Sequence, residues 1–387
     1  MPDRLPRETM LPYGRQFIDD DDIAAVVEVL RLPMLTTGSR VDQFEKDLAE
    51  YVGAKYAVVL SNGTAALHAS VAAIGIQPSD EVIVPPMTFA ASANCVAYCS
   101  GVPVFVDVEP GTLLLDPTLI ERKINPRAKA IIAVDYAGQP CDYDPLKEIC
   151  QKHGLALIDD ACHALGAEYH GKRIGSIADL TVFSFHPVKH ITTGEGGAVT
   201  TDNKELAEKI RRFRNHGVSA DHRQRESVGS WVYEIGSLGY NYRLTDIQCA
   251  LGISQLKKAD PWLARRQEIA RQYDLAFSQL EGISPLKVVH NVRHAYHLYV
   301  VQIDPNVTHI DRATLFKSLR SANIGVNVHY IPVHLQPFYR EHFGTGPGDC
   351  PVAEAAYQNI LSLPMFQTMT DDDVDDVVNA IKKLTQH

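Results

Sequence analysis

The chain has 387 residues, of which 45% are hydrophobic and 22% are charged, values typical of a folded globular protein large enough for two or three domains. Its 37 basic and 47 acidic residues give a formal net charge of −10 without a long block of one sign, which argues against a general nucleic-acid or anionic-membrane surface. The start MPDRLPRETMLPYGR lacks the apolar segment of a secretion signal, and no apolar run approaches the roughly 18 residues that span a bilayer, so we expect a cytoplasmic protein.

Neither the cysteines nor the acidic runs have the spacing of a known metal-binding motif. The cysteines are odd in number and scattered, at positions 95, 99, 141, 150, 162, 249 and 350, without a CxxC pair, so we expect reduced thiols. The acidic runs at 19–22 and 371–376 lack the central glycine and the spaced final glutamate of a calcium loop. We interpret them as charges at helix starts and predict no metal site.

Short apolar segments alternate with helical ones up to about residue 202. The strand-like segments are KYAVVL, EVIVP, VPVFVDV, AKAIIAVDYAG, LALIDDACHALG, DLTVFSF and GGAVTTD. Such alternation predicts βαβ units around a largely parallel sheet, that is, an α/β fold.

From about residue 203 the helical pattern dominates. A long apolar-periodic segment over residues 245–280 is interrupted near Pro261, which lacks a backbone N–H group. Strand-like and helical segments alternate again beyond it. We therefore predict a large domain over residues 1–255 and a smaller C-terminal α/β domain over residues 256–387.

Lys189 follows the strand-like LTVFSF and precedes the Thr- and Gly-rich stretch TTGEGG. A lysine is usually a solvated surface residue. Here the strand and the permissive backbone would hold the amine close to a ligand. Desolvation and neighbouring cations could lower the pKa of the amine in that place and make it a nucleophile.

The segment LSNGTAAL places Ser61, Gly63 and Thr64 where a strand ends and a helix begins. Backbone N–H groups, a hydroxyl and the positive helix end converge there, which is typical of a phosphate site and also of an ordinary N-cap.

Asp160 ends the apolar run of ALIDDACHALGA, at the edge where α/β sheets bind ligands. A helix cap, a metal ligand and a functional carboxylate all fit this place. No spaced set of further ligands supports the metal.

Four motifs occur in a fixed order between residues 63 and 248: a GT.AL turn, the segment DDACHALGA, a lysine block SF...K....GEGG and the segment GYNYRLTDIQ. Together they resemble the pyridoxal 5'-phosphate (PLP) enzymes of the aspartate-aminotransferase fold (fold type I), specifically the DegT/StrS-type sugar-nucleotide aminotransferases. The resemblance extends to both ends of the chain, through QFEKDLAEYVGAKYAVV, HYIPVHLQPFY and LSLPMF. Within the family, AGQPCD and FHPVKHITTGEGG are similar to the pseudaminic-acid-pathway enzymes, which aminate a UDP-linked 4-keto-6-deoxy-N-acetylhexosamine.

The resemblance implies two catalytic residues. Lys189 would bind PLP through a Schiff base and, once released, move the proton between the donor carbon and the cofactor. Asp160 would keep the pyridine nitrogen protonated, so that the ring accepts electrons.

Further cofactor contacts are implied for Ser61, Gly63, Thr64, Phe89, His163, Ser184 and Asn241. Of these, Phe89 would cover one ring face, although a core aromatic is the alternative, and His163 would sit near the ring, with a satisfied buried histidine as the alternative. Asn241 would reach the phosphate in the neighbouring subunit, which implies a homodimer with shared active sites.

The implied partners are glutamate as amino donor and a nucleotide-linked keto-sugar as acceptor. Arg243 is a candidate for the donor carboxylate, because a guanidinium binds it bidentately; a surface arginine is the alternative. Family-like positions near the sugar nucleotide, each with a loop or packing role as alternative, are Thr36, Thr37, Gln139, His186, His329 and Tyr330.

Departures from the family pattern concern small residues. Asn62 stands where many relatives have Ser, and Cys162 where Ala is common. A subset of the family has His in place of the lysine and deoxygenates sugars, whereas this chain keeps Lys189, which favours aminotransfer. The alternatives are a PLP- or sugar-nucleotide-binding regulatory protein without turnover and another PLP reaction on the same scaffold.

Overall fold

The computed structural model describes residues 7–219, 222–227 and 229–385. Its strands are β1 Tyr56–Leu60, β2 Glu81–Val84, β3 Val102–Phe105, β4 Ala128–Val134, β5 Ala156–Asp160, β6 Glu168–Tyr169, β7 Lys172–Arg173, β8 Leu180–Ser184, β9 Gly197–Thr201, β10 Ile283–Pro285, β11 Val292–Arg293, β12 Tyr299–Ile303 and β13 Ile360–Leu363. Its α-helices are α1 Asp20–Leu30, α2 Ser39–Val52, α3 Gly63–Ala73, α4 Ala91–Tyr98, α5 Tyr143–His153, α6 Lys204–Phe213, α7 His222–Ser227, α8 Asp246–Leu256, α9 Ala259–Phe277, α10 Pro305–Thr308, α11 Arg312–Ser321, α12 Pro337–Phe343, α13 Pro351–Asn359 and α14 Asp371–Thr385. Within these residues, no helix combines the length and the apolar content needed to cross a bilayer.

The main sheet of the described residues has seven strands in the order β1-β9-β8-β5-β4-β2-β3. Strands β8, β5, β4, β2 and β3 are parallel, whereas β9 pairs antiparallel with both β1 and β8. The predicted α/β fold with a largely parallel sheet is therefore confirmed. Strand β9 is the exception because the turn-rich stretch after β8 has no crossover helix, and the chain returns directly beside the strand it has left.

The carboxyl ends of β1, β5 and β8 lie at one edge of this sheet, because β1 and β8 both run antiparallel to β9 while β5 runs parallel to β8. Strand β1 leads into α3 at Gly63, β5 ends at Asp160 and β8 ends at Ser184. Three residues far apart in the sequence thereby meet at the edge where ligands bind in such sheets.

Helix boundaries follow local chemistry. The side chain of Asn62 accepts the N–H of Ala65 over 2.7 Å and caps α3. Asp19 caps α1, and α14 begins at Asp371, so the interpretation of both acidic runs as helix-start charges is confirmed. The break expected near Pro261 lies between α8 and α9, and the proline sits in the first turn of α9, where its missing N–H costs no helical hydrogen bond.

Two apolar cores share helix α9. The larger core surrounds the main sheet and includes Leu263, whereas the second packs α9, from Ile269 to Phe277, against the strands and helices near the C-terminus. Leu11 from the N-terminal segment also belongs to the second core. The division at residues 255 and 256 remains a prediction.

Candidate active site

A cavity of about 850 Å³ opens at the carboxyl edge of the main sheet, a size within the usual range for small-molecule sites. The residues predicted from the sequence that line it are Gly63, Thr64, Phe89, Asp160, His163, Ser184, His186, Lys189, His329 and Tyr330. The structure therefore brings together ten of the sixteen predicted site residues.

The carboxylate of Asp160 is fixed from both sides. It is buried at the end of β5, where Ser92 donates a hydrogen bond to Oδ2 over 2.5 Å and the backbone N–H of Cys162 donates to Oδ1 over 3.2 Å. Thr88 shares a further hydrogen bond with the hydroxyl of Ser92 over 2.6 Å. These contacts direct a carboxylate into the cavity, as the pairing with a protonated ring nitrogen requires.

The amine of Lys189 has an imidazole as its hydrogen-bond partner. Its Nζ lies 3.4 Å from Nε2 of His297. Desolvation lowers the pKa of Lys189, although the nearby Cys162 and Asp160 act in the opposite direction. The arrangement favours an uncharged amine, the form that acts as nucleophile or base.

Two histidine rings, tilted by 41° to each other, lie beside this amine. The rings of His163 and His297 are 4.3 Å apart, and the hydroxyl of Tyr330 lies 3.2 Å from Nε2 of His163. Burial holds the pKa of both histidines well below the usual value, and the amine of Lys189 acts in the same direction when it is protonated. The Nδ1 atoms of both rings lack a partner among the described residues. Because buried polar atoms are normally bonded, these nitrogens indicate a polar partner supplied by a ligand or by water.

Close packing brings the N-terminus of α3 against the end of β8. A Cβ atom on Gly63 would lie 3.0 Å from Cβ of Ser184 and 3.2 Å from Sγ of Cys162. The first N–H groups of a helix have no partner within it. The side chain of Asn62 accepts only the N–H of Ala65, which leaves the N–H groups of Gly63 and Thr64 for a ligand. This helix end beside a serine hydroxyl is suited to bind a phosphate.

Aromatic residues form the outer wall. Phe89 is 61% exposed at the cavity rim, and its ring lies 6.3 Å from that of Tyr330. The ring nitrogens of His329 are both engaged within the chain, at 2.8 Å from Oγ of Ser362 and 3.4 Å from Nδ2 of Asn327. Phe89 is thus free to cover a flat ligand, whereas His329 is held as part of the wall.

The donor set fits PLP. Asp160 matches a protonated pyridine nitrogen, the start of α3 with Ser184 matches a phosphate, and Lys189 supplies the amine that an aldehyde requires. The exposed ring of Phe89 and the unpartnered nitrogen of His163 suit a flat, polar aromatic group.

Two predicted residues lie close to the cavity but outside its lining. The N–H of Ser61 donates to the carbonyl of Tyr242 over 2.8 Å. Gln139 is buried, its Nε2 donates to the carbonyl of Lys287 over 3.0 Å, and its Oε1 accepts the N–H of Val289 over 2.7 Å. The nitrogen and the oxygen of the Gln139 side-chain amide are therefore both hydrogen-bonded to backbone groups.

Four other predicted residues lie away from the Lys189 cavity of the same chain. Thr37 and Arg243 line a second cavity of about 340 Å³ that also contains several arginines. Thr36 forms an isolated antiparallel β-bridge with Thr245. Asn241 is exposed and forms another with Asn215.

Sequence reasoning did not single out several residues that complete the site. Tyr13, Tyr98, Glu195, Tyr242, His297 and Asn327 also line the cavity, and Ser92 holds Asp160. Of these, His297 precedes strand β12 in HAYHLYVV, and a histidine next to an apolar run was the available signal. Its contact with Lys189 depends on tertiary structure that no local motif encodes.

Comparison with known proteins places this geometry in a family. The family model described as "DegT/DnrJ/EryC1/StrS aminotransferase family" matches residues 16–382. The spore coat polysaccharide biosynthesis protein SpsC of Bacillus subtilis is 44% identical, with 98% of both chains covered. The structure of PseC from Helicobacter pylori, an aminotransferase involved in the biosynthesis of pseudoaminic acid, has a TM-score of 0.90 at 34% identity and covers 98% of this chain and 100% of that one. The PLP-form of the putative sugar aminotransferase Spr1654 from Streptococcus pneumoniae has a TM-score of 0.91 at 32% identity, covering 97% of this chain and 99% of that one. The chain therefore belongs to the DegT/DnrJ/EryC1/StrS aminotransferase family, as its motifs predicted.

Proposed function

We propose that this chain transfers an amino group from glutamate to a nucleotide-linked keto-sugar, with a UDP-linked 4-keto-6-deoxy-N-acetylhexosamine as acceptor. The chain is a sugar aminotransferase and its cofactor is PLP, both as predicted. The observation that carries the reaction is that Lys189 and Asp160 face one cavity beside the N-terminus of α3. The acceptor rests on the likeness to PseC and on the segments AGQPCD and FHPVKHITTGEGG.

PLP, when bound, supplies a ring that accepts the electron pair left when a proton leaves the donor carbon. Lys189 attaches the cofactor through its amine and, when free, takes up and returns that proton. The lowered pKa of Lys189 leaves the amine uncharged at a lower pH than an exposed lysine, as a general base requires. Asp160, fixed by Ser92 and by the N–H of Cys162, holds the proton on the ring nitrogen.

The remaining residues bind and orient. Gly63 and Thr64 at the start of α3, with the hydroxyl of Ser184, hold the phosphate. His163 would lie beside the ring, and Phe89 would cover one ring face. His186 and Tyr330, which line the same cavity, would face the acceptor sugar.

We further propose a homodimer in which each cavity is completed by the other subunit. Asn241 is exposed, and Arg243 lines the second cavity with Thr37, so neither side chain lines the Lys189 cavity of its own chain. The adjoining loop exposes Trp231 and Leu238 by 85% and 80%, apolar surface that a second copy would cover. In such a dimer Asn241 reaches the phosphate and Arg243 the donor carboxylate of the partner's site.

Reduction and peptide mapping test the assigned lysine. Borohydride treatment of the PLP-loaded protein, followed by proteolysis and mass spectrometry, should label Lys189. Adding glutamate should bleach the cofactor's yellow colour with release of 2-oxoglutarate, and a panel of keto-sugar nucleotides should yield an aminated UDP-linked product. Label on another lysine would overturn the role of Lys189, and no bleaching would favour a binding protein without turnover.

A matched pair of variants separates the lysine from general charge effects. Lys189→Ala should abolish turnover while PLP remains loosely bound through its phosphate. Lys129→Ala, which removes an exposed lysine of β4, should keep full activity. Full activity of Lys189→Ala would contradict the proposal.

Mixed dimers test the shared site. The Lys189→Ala and Asn241→Ala variants should each be impaired. When the two chains are coexpressed with different affinity tags, each hybrid dimer should contain one intact cavity. Random pairing then restores activity to about a quarter of all cavities. If Asn241 instead serves its own chain, both cavities of the hybrid are defective and no activity returns.

A further inference from the structure

The amine of Lys189 is held inside the cavity by a neutral partner. Nε2 of His297 lies 3.4 Å from its Nζ, close enough for an N–H of either group to be donated to the other. A neutral imidazole can accept from an ammonium or donate to a free amine, so the contact persists in both protonation states of the lysine. A carboxylate in this place would instead stabilise the ammonium and remove the base.

The backbone on both sides of His297 is fixed. The N–H of Ala295 donates to the carbonyl of Gly138 over 2.8 Å, and the N–H of Leu298 donates to that of Ala137 over 3.1 Å. Gly138 has φ of +101°, and a Cβ on it would lie 2.9 Å from the nitrogen of His297, so this close approach requires glycine. The imidazole therefore projects from an anchored loop.

The surroundings of His297 keep its ring uncharged. The ring is buried, and burial is the main reason that its pKa lies well below the usual value. Electrostatic repulsion by positive charge lowers the pKa further, from Lys189, His163, His190 and Arg266. The other titratable groups that line this cavity are Asp160, Cys162, His186, Glu195, His329, Tyr13, Tyr98, Tyr242 and Tyr330. The one carboxylate among the buried groups, Asp160, is engaged by Ser92 and Cys162.

We propose that His297 is a positioning residue: as a neutral hydrogen-bond partner it holds the free amine of Lys189 in place without charging it. The proposal rests on the proposed role of Lys189 as the reacting amine.

Three substitutions of His297 test this role. His297→Gln keeps a neutral polar group of similar reach, His297→Leu removes the contact, and His297→Glu adds a carboxylate. The first readout is the pH dependence of Lys189 acetylation by acetic anhydride in the cofactor-free full-length chain, followed by mass spectrometry. The second is the separate effect on kcat and KM of the PLP-loaded enzyme.

We expect His297→Glu to raise the pH of half-labelling of Lys189 by about one unit or more, because a carboxylate favours the ammonium. His297→Leu should lower kcat by about 10- to 100-fold with little change in KM for the donor, the effect of a misplaced reacting group. His297→Gln should recover most of the lost kcat and label like the wild type. Wild-type kcat in His297→Leu, or an unchanged labelling curve in His297→Glu, would overturn the proposal.

His334→Gln is the matched control. His334 is fully buried and its Nδ1 also lacks a described partner, but its Nε2 lies 2.9 Å from a carboxylate oxygen of Glu354 and it does not line the Lys189 cavity. Its substitution should leave Lys189 labelling unchanged. If His297→Leu does not fold, the Gln and Glu variants still decide the outcome. Failure of borohydride to trap Lys189 in the wild type would refute the proposed function itself, whereas trapping with unresponsive His297 variants would refute only this role.

Discussion

Ser92 donates a hydrogen bond through Oγ to Oδ2 of Asp160 over 2.5 Å, and both side chains are buried. Ser92 belongs to α4, which follows β2, whereas Asp160 ends β5. The contact therefore spans β4, which lies between those two strands in the sheet. It ties the direction of the carboxylate to the packing of helix α4, in addition to the N–H of Cys162 in the loop after β5.

Ser92→Ala should weaken PLP binding by about 10-fold or more, because the carboxylate loses a charge-assisted hydrogen bond worth roughly 1.5–3 kcal/mol. Titration of the cofactor-free protein with PLP, followed by absorbance, measures the dissociation constant. Ser70→Ala is the control, since Ser70 is equally buried but bonds the carbonyl of Ala66 within α3. Equal affinities for the two variants would show that Ser92 does not orient Asp160.

How much of this site is encoded locally differs from residue to residue. Lys189 and Asp160 stand in short motifs at strand ends, so the alternation of apolar and helical segments was sufficient to predict where they lie. Ser92 and His297 lie 68 and 108 residues from their partners, and their contacts arise from strand order and loop anchoring. Long-range side-chain contacts of this kind leave no periodic pattern in the sequence.

The substrate-side predictions show a second reason for incomplete prediction. Gln139 is buried close to the cavity, yet its side-chain amide is hydrogen-bonded to the backbone of residues 287 and 289. Asn241 and Arg243 occupy family-like positions but do not line the cavity of their own chain. A motif identifies such residues without stating which subunit's ligand they face, because that depends on assembly.

Gly63→Ala should reduce PLP affinity by about 10-fold. The added Cβ would lie 3.0–3.3 Å from the side chains of Ser184 and Cys162, so the start of α3 must move by a few tenths of an ångström. That shift displaces the N–H groups proposed to hold the phosphate. Fluorescence titration with PLP and, separately, with inorganic phosphate measures the effect.

Gly346→Ala provides the comparison for that glycine. A Cβ at position 346 would meet no atom within 4 Å, and its φ is not in the left-handed region, so we expect unchanged affinity. If Gly63→Ala binds both ligands as tightly as Gly346→Ala does, the helix end is not the phosphate site.

Asp159→Asn should reduce the decrease in the free energy of unfolding that occurs as pH rises. Desolvation raises the pKa of Asp159 well above its usual value, with a further contribution from the neighbouring Asp135, and raises the pKa of Asp135 to about 7. Because both values exceed those of the unfolded chain, the folded chain binds more protons between about pH 4 and pH 7, and its stability falls as pH rises through this window. Replacing one carboxyl by an amide removes part of that fall.

Denaturant unfolding of the cofactor-free chain at pH 5 and at pH 8 measures this effect. The difference between the two free energies of unfolding should be smaller in Asp159→Asn than in the wild type. Asp375→Asn, on the exposed side of α14, should behave as the wild type. A difference as large as that of the wild type in Asp159→Asn would show that this carboxyl does not become charged over the range.

Arg266 is a buried charged residue that links helix α9 to the loop that carries His297. It is fully buried in α9, and its Nη1 donates to the carbonyls of Tyr296 and Met365 over 3.2 and 3.0 Å, while Nη2 donates to Oε1 of Gln367 over 3.2 Å. Burial lowers the pKa of Arg266 to about 10, so the guanidinium remains charged at neutral pH and its charge is dispersed over neutral oxygens.

Arg266→Met should lower the free energy of unfolding by about 3–5 kcal/mol, because it leaves several buried oxygens without donors. It should also lower kcat, since the carbonyl of Tyr296 belongs to the loop that carries His297. Arg271→Met, in the same helix, removes a 66% exposed side chain paired with Glu268 and should cost no more than about 0.5 kcal/mol. Thermal and denaturant unfolding of the two variants decide the matter: equal stabilities would mean that the buried guanidinium does not hold this loop to α9.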